Sequence, residues 1–568
     1  MSRPARRTLG GLRRLLPGPD DLVAARRQPG RDLLAGLTVA IVALPLALGF
    51  GVASGLGAQA GLITAVVAGA LAAVFGGSNL QVSGPTGAMT VVLIPIVAQH
   101  GPGGVLLVGA MAGILLIALA LAGFGRYVRY LPTPVVEGFT VGIACVIALQ
   151  QIPAALGVRA VGGDQVGRVA LRAGRQFAHA PHWSALALSA GVAALMLAGV
   201  RRHPRVPFSL VAVVLATVAA DLVHLDVARI GALPSGLPGP SLAFIDAGAV
   251  HALLAPAVAV AMLAALESLL SATVADAMSV SQRHDPDREL FGQGIANLVT
   301  PIFGGVPATA AIARTAVNVR AGAASRLAAL AHAAILAAIA LLAGSAVGRI
   351  PLAALAGVLL ATAVRMVEVG PLRAIIRSSR SDALVLTVTA LATVVLNLVQ
   401  AVIIGMVVAG ALALRAVAED VRLHQVPLDE DETGDHTAEE HVLLAEHIVA
   451  YRIDGPLFFA AAHRFLLELS EVATVSVVIL RMSRVSTIDA SGALVLKDAI
   501  GRLEHRGIAV LVSGIRDEHH RALNALGVVR RLSEDGRVFA TTPQAIAAAR
   551  DLLHDRGVLR PKAAVTQV

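Results

Sequence analysis

Apolar runs fill the first 420 residues of this chain and then stop. Stretches of about 20 apolar residues are long enough to cross a bilayer as a helix. They fall near 34–53, 58–76, 102–124, 135–151, 184–200, 207–223, 251–275, 325–346, 382–397 and 399–418. Between them lie apolar pieces that are short or interrupted by Gly and Pro, at 83–99, 290–304, 306–319 and 350–364. The pattern predicts about fourteen membrane segments, and an even number returns both ends of the chain to one side. Beyond residue 421 the alternation shortens. A strand at 447–453, a helix at 461–471, an apolar strand at 475–480, a helix at 491–505, a strand at 508–512 and two more helices predict a small α/β domain. The boundaries that follow are a tail at 1–30, a membrane domain at 31–420, a linker at 421–442, the α/β domain at 443–555 and a tail at 556–568.

Charge sharpens this division. The chain is 56% hydrophobic and 15% charged, with mean hydropathy +0.76, whereas soluble domains carry about 25% charged residues. No Asp, Glu, Lys or Arg occurs from Leu33 to Gly125, while a quarter of residues 421–568 are charged. The linker is acidic at Asp429, Glu430, Asp431, Glu432, Asp435, Glu439 and Glu440 and reads as a solvated spacer. A net charge of +9 has a membrane explanation and implies no nucleic acid. The basic N-terminal tail, Arg126/Arg129, Arg201/Arg202/Arg205, Arg283/Arg288, Arg373/Arg377/Arg380 and Arg415/Arg422 share one face of the segment count, which the positive-inside rule makes cytoplasmic. The expected location is the inner membrane, multi-pass, with both termini cytoplasmic. The loop at 152–182 opposes this, being external by count yet carrying Arg159, Arg168, Arg172 and Arg175. A single cysteine, Cys145, excludes a disulfide framework and a Cys-based zinc site and reads as a small packing residue. The N-terminus has no cleavage site closing a short apolar run and reads as a cytoplasmic tail.

Two of the interrupted segments carry the chemistry. One reads Gln81-Val82-Ser83-Gly84-Pro85-Thr86-Gly87-Ala88-Met89, the other Gly304-Gly305-Val306-Pro307-Ala308-Thr309-Ala310-Ala311-Ile312-Ala313-Arg314-Thr315. In each, a Gly/Pro approach leads into helix-forming residues. A helix that starts inside the membrane leaves N–H groups that lipid cannot satisfy, so it must face protein or a wet cavity. Two such half-helices in corresponding places point to a transporter with inverted repeats, and their N-termini favour an anion. Arg314 beside one of them is a counter-charge or an internal partner of Glu267. That glutamate is the lone charge of its span, a costly group that marks function and is placed to carry a proton. Asn297 and Asn397 read as ties between helices. No nucleotide-binding loop, HExxH motif or nucleophile–base pair is visible, so no enzyme, metal or cofactor is expected.

Several motifs together resemble the sulfate permease (SulP, solute carrier 26) family of anion transporters. They are Asp32-x-x-Ala35-Gly36 with Leu44-Pro45, Gly61-Leu62, Gly76-Gly77-Ser78, Ser83-Gly84-Pro85-Thr86, Glu267-Ser268-Leu269-Leu270-Ser271, Glu289-Leu290-x-Gly292-Gln293-Gly294-x-x-Asn297, Phe303-Gly304-Gly305-Val306-Pro307 and Ala313-Arg314-Thr315. The C-terminal part is similar to a STAS domain, with Asp454-Gly455-Pro456-Leu457-Phe458-Phe459 on its first strand and Asp489-Ala490-Ser491-Gly492 at a helix start. The wording around 50–55 and 83–87 lies nearest to the bacterial branch of bicarbonate carriers. The resemblance implies an α-helical polytopic domain of fourteen segments in a 7+7 inverted repeat, with core and gate domains, plus a cytoplasmic α/β STAS domain. It also implies elevator-type movement, a homodimer in the lipid bilayer, and a small inorganic or organic anion (bicarbonate, sulfate or a dicarboxylate) bound by Phe50, Ser83, Thr86, Gly87, Ala311, Ala313 and Arg314. Glu267 and Ser271 stand where the family couples to a second ion. Leu46 replaces a glutamine common in the family, which removes one polar partner for a heavily hydrogen-bonding oxyanion such as sulfate. Glu267 replaces the aspartate and Ile312 a hydroxyl of its sodium-dependent branch, so the coupling ion expected is a proton. Sodium-coupled bicarbonate symport and an anion-sensing receptor signalling through STAS are the alternatives. Ser491 matches the serine phosphorylated in STAS-type anti-sigma-factor antagonists, and is also expected to cap its helix.

Overall fold

The computed structural model describes residues 15–130, 132–158, 166–203, 206–232, 236, 238–279, 283–396, 398–419, 422–426, 446–458 and 475–558. It divides into two compact units, Met1–Ala409 and Gly410–Val568. In the first, helix α1 (Pro19–Arg27) precedes two apolar helices, α2 (Pro29–Ala53) and α3 (Ala58–Phe75). An extended stretch with the two-residue strand β1 (Ser83–Gly84) leads into α4 (Gly87–Leu121). That helix is two membrane segments end to end: Gly101 sits at φ 66°, ψ −173°, a conformation open to glycine, and Pro102 follows it. Helices α5 (Thr133–Ala155), α6 (Val166–His179), α7 (Trp183–Arg202) and α8 (Phe208–Leu222) complete the first half.

The second half repeats the plan. Helices α9 (Val250–Met278) and α10 (Pro286–Val299) lead through strand β2 (Thr309–Ala310) into the short helix α11 (Ile312–Arg320). Then come α12 (Leu327–Leu342), α13 (Leu352–Met366), α14 (Val369–Ser378), α15 (Arg380–Val395) and α16 (Leu398–Glu419). Among the described residues eight helical stretches are long and apolar enough to cross a membrane unaided, one of them Leu352–Ser378, which is α13 with α14; α8 and α12 are shorter apolar helices. With α4 counted twice and α10, α11 and α15 included, every segment anticipated from the hydrophobic pattern is a helix, seven in each half. Helices α2, α3, α4, α9, α10, α11 and α12 pack chiefly on one another, and α5, α7, α13 and α15 make a second group. Small residues let these backbones approach closely, and Leu48, Leu93, Leu269, Leu290 and Leu336 fill the interior.

The second unit holds a six-stranded sheet. Strands β3 (Arg422–Val426), β4 (Ile448–Leu457), β5 (Val477–Arg481), β6 (Val485–Ile488), β7 (Ala509–Ser513) and β8 (Val538–Phe539) are ordered β3-β4-β5-β7-β8, with β6 on β4. All pairings are parallel except β3 on β4. Helices α17 (Ala490–His505), α18 (Asp517–Ala525) and α19 (Val528–Glu534) cover one apolar face, and α20 (Thr542–Asp555) covers the other. Strand β3 falls inside the stretch that composition marks as linker; its sequence, RLHQV, is too polar and short to read as a strand until β4 pairs with it. The helix expected at 461–471, the acidic residues 429–440, Asn397 and the chain ends at 1–14 and 559–568 lie outside the described residues.

Two further differences concern the membrane unit. Part of the basic loop at 152–182 is helix α6, with Arg168, Arg172 and Arg175 exposed and Ala170 and Ala173 buried. Cys145 is exposed on α5 instead of packed inside.

Candidate functional site

The two broken segments meet. β1 and β2 pair antiparallel, Ser83 opposite Ala310 and Gly84 opposite Thr309, so α4 and α11 start beside each other from opposite halves of the chain. Extended backbone at this depth must find partners inside the protein, and each approach is pinned by side chains. Asn297 forms an amide pair with Ala308, donating to its carbonyl at 2.9 Å and accepting from its N–H at 2.8 Å. Thr64 donates to the carbonyl of Val306 at 3.0 Å, and Asn318 to that of Leu80 at 2.8 Å. The N–H of Val82 donates to the Thr315 hydroxyl at 3.2 Å, and that of Ala310 to Ser268 Oγ at 3.2 Å. Asn297 thus ties the extended approach to β2, where the sequence suggested a tie between helices.

Capping then separates the two half-helices. Thr86 caps α4, its hydroxyl oxygen accepting from the N–H of Met89 at 3.4 Å. Ala311 occupies the same place on α11 and has no side chain to offer, so the first-turn N–H groups there have no side-chain cap. Arg314, in the first turn of α11, is 2% exposed. Its Nη2 donates to the carbonyl of Pro85 at 3.0 Å, while Nη1 is buried without a partner among the described residues. Gly84 makes room for it: a Cβ there would lie 2.5 Å from Nη1. A buried guanidinium with a vacant N–H edge, next to uncapped helix N–H groups, is suited to a charge-assisted bond with an anion.

Glu267 is half-buried on α9 and its Oε2 accepts from the Thr86 hydroxyl at 2.9 Å. Among the described residues no ion pair joins it to Arg314; the internal partnership left open by the sequence is replaced by separate partners on one short segment, Thr86 for the acid and Pro85 for the base. Phe50 is buried, and its ring would lie 3.1 Å from a Cβ on Gly87, which places both at the start of α4. Ala311 is half-buried, Ala313 is exposed, and Ile312 is 42% exposed.

Two expected residues are engaged otherwise. Ser83 accepts from Gln293 Nε2 at 2.6 Å. Ser271 donates to Thr315 at 2.9 Å, one turn along α9 from Glu267, and is a tie to α11. Gln293, which also donates to Glu289 at 2.9 Å, Ser268, Thr309 and Thr315 belong to this network although the sequence reading gave them no role. The i,i+4 spacing of Glu289 and Gln293 on one helix face was the available signal. In the second unit the cap of α17 is Asp489, which accepts from the N–H of Gly492 at 2.7 Å. Ser491 is the second residue of that helix and does not cap it, because Asp489 stands at the N-cap position and already holds the first-turn N–H.

Comparison with known proteins adds two family matches: residues 30–389 to the sulfate permease family and residues 442–545 to the STAS domain. The chain is 32% identical to YvdB of Bacillus subtilis, a protein named for sulfate transport by inference, over 89% of this chain and 95% of that one. It is 31% identical to the bicarbonate transporter BicA of Picosynechococcus, over 89% and 92%. The transmembrane domain of a cyanobacterial BicA superposes with a TM-score of 0.62 at 33% identity, covering 66% of this chain and 98% of that domain. Murine Slc26a9, an anion transporter in its inward-facing state, shares the fold at a TM-score of 0.79 and 17% identity, over 92% and 91%.

Proposed function

The chain belongs to the sulfate permease family of multi-pass anion transporters, and from that premise we propose that it carries a small oxyanion, bicarbonate or sulfate, bound between the N-termini of α4 and α11 and driven by protons. The vacant Nη1 of buried Arg314 carries this reading. Around it stand the uncapped N–H groups of α11 and the small residues Gly87, Ala311 and Ala313, which let an anion approach backbone donors. The Pro85 carbonyl holds the other arm of the guanidinium, so the charge is oriented before the anion arrives.

Coupling follows from Thr86. Its hydroxyl donates to Glu267 while its oxygen caps α4. Protonation of Glu267 removes the negative charge that faces the anion site and changes the acceptor that Thr86 sees. Proton and anion then share a cycle without contact between them. A sodium ion would need several oxygen ligands, and Ile312 supplies none. Two packing groups, one holding both half-helices, fit alternating access by elevator-type displacement of one group along the other. In this reading the termini and the STAS domain lie on the cytoplasmic side, which the arginine-rich connections on that face of the segment count support.

The test is uptake into proteoliposomes of labelled bicarbonate and sulfate under an imposed gradient. Concentrative uptake driven by a proton gradient is expected, with no response to sodium. Uptake driven by a sodium gradient at symmetric pH would establish sodium symport instead. Hydrogen bonds to charged groups contribute about 1.5–3 kcal/mol, so Arg314→Ala should weaken anion affinity roughly 10–100-fold in a folded, inserted protein. Unchanged affinity there would remove the anion from this site.

A further inference from the structure

Among the described residues helix α14 is covered only in part, with Leu372 and Ile375 half-buried and its other eight residues exposed. Its ten residues, VGPLRAIIRS, include no buried side chain, and Val369 and Ile376 are 54% and 51% exposed. At the α-helical period Val369, Leu372, Ile375 and Ile376 share one arc, and Arg373 and Arg377 lie one turn apart at its edge. A ten-residue helix does not hold itself together in water, so this apolar arc needs a cover.

Chain continuity says what the cover is. Membrane helix α13 ends at Met366 and α15 starts at Arg380, leaving two residues before α14 and one after it. Linkers that short cannot carry α14 beyond the ends of its neighbours. It therefore lies at the boundary of hydrocarbon and water, on the side reached after twelve crossings, the side from which α2 starts. Residues 365–382 hold Arg365, Arg373, Arg377 and Arg380 against Glu368 and Asp382, an excess of positive charge at headgroup depth. The corresponding connection of the first half, α6, is also amphipathic, but it buries Ala170 and Ala173 against protein. Of the two, only α14 has no fully buried side chain.

We propose that α14 is a binding surface for anionic phospholipid, with Arg373, Arg377 and Arg380 on headgroup phosphates and the apolar arc among the upper acyl carbons. An amphipathic interfacial helix with basic residues behaves this way, and each arginine near an anionic surface contributes about fivefold.

The test uses the full chain in nanodiscs of phosphatidylcholine mixed with phosphatidylglycerol, counting the lipid that co-purifies. Phosphatidylglycerol should be enriched over its bulk share, and the enrichment should fall with salt. Arg373→Gln with Arg377→Gln should lower it by about an order of magnitude or more, while Arg377→Lys should retain it. Equal enrichment in the double glutamine variant would overturn the proposal. So would displacement of phosphatidylglycerol by inorganic phosphate at matched ionic strength, which would identify a soluble-anion site. A separate measurement needs no loss of arginine: Ile376→Trp in a Trp183→Phe chain, otherwise free of tryptophan, should be quenched by lipids brominated on the upper acyl chain. Absence of quenching would reject the placement.

Discussion

Glu267 and Arg314 sit in one site but hold different partners, and their substitutions should therefore separate. Glu267→Gln keeps the shape and can still accept from Thr86, but it cannot titrate. Anion exchange should persist within a few-fold of wild type, while accumulation driven by a proton gradient should disappear. Counterflow and gradient-driven uptake measured on one preparation decide this; retained accumulation would take the proton from Glu267. In the second unit, Asp489→Ala removes the helix cap and should cost about 1 kcal/mol of local stability. Ser491→Ala should change it by less than about 0.5 kcal/mol. Hydrogen exchange of the N–H groups of residues 491–493 distinguishes the two, and equal deprotection in both variants would return the capping role to Ser491.

At the scale of elements, the β1–β2 pair and helix α1 are the informative pieces. Gly84→Ala introduces a Cβ where the Arg314 guanidinium lies, so it should lower anion affinity at least tenfold, by analogy with losing a charged hydrogen bond, without unfolding the protein. Helix α1 is fastened by Asp21, which accepts from Arg288 at 2.6 Å and Arg326 at 3.1 Å across more than 260 residues of sequence. Burial pushes the Asp21 carboxyl up, but the Arg288 and Gly18 hydrogen bonds and the arginine charges outweigh it and hold it below the usual carboxylate range. With the folded value depressed, this fastening is fully present above the unfolded value and is lost as pH falls through the folded one. At neutral pH it is therefore intact. Asp21→Asn should release α1, read as faster proteolysis near residues 19–27 at pH 7 and no further effect of acid there.

For the whole molecule, the two compact units predict separable functions. A chain ending at residue 419 keeps every residue of the candidate site, so it should bind the anion within a few-fold of the full protein. Isothermal titration of the purified membrane unit checks this; loss of binding in a folded protein would make the STAS domain part of the site. The fourteen segments were legible because lipid imposes one rule on every span: apolar length with internally bonded backbone. The same rule exposed the two half-helices as violations and so pointed to the candidate site. Strand β3, by contrast, has no such signature, since an edge strand of polar residues depends on its neighbour.

By itself, the sequence determined which stretches lie in lipid, that two helices begin inside it, and that Arg314 and Glu267 are the charges among them. Each of these follows from local composition against a uniform solvent. Only the tertiary structure decided that Ser83 and Ser271 are held by Gln293 and Thr315, that Thr86 joins the glutamate to the cap of α4, and that Arg314 keeps one N–H edge vacant. Hydrogen-bond partnership between residues some 40 to 230 positions apart depends on how helices pack, and a hydroxyl in the sequence does not reveal which of several neighbours it will meet.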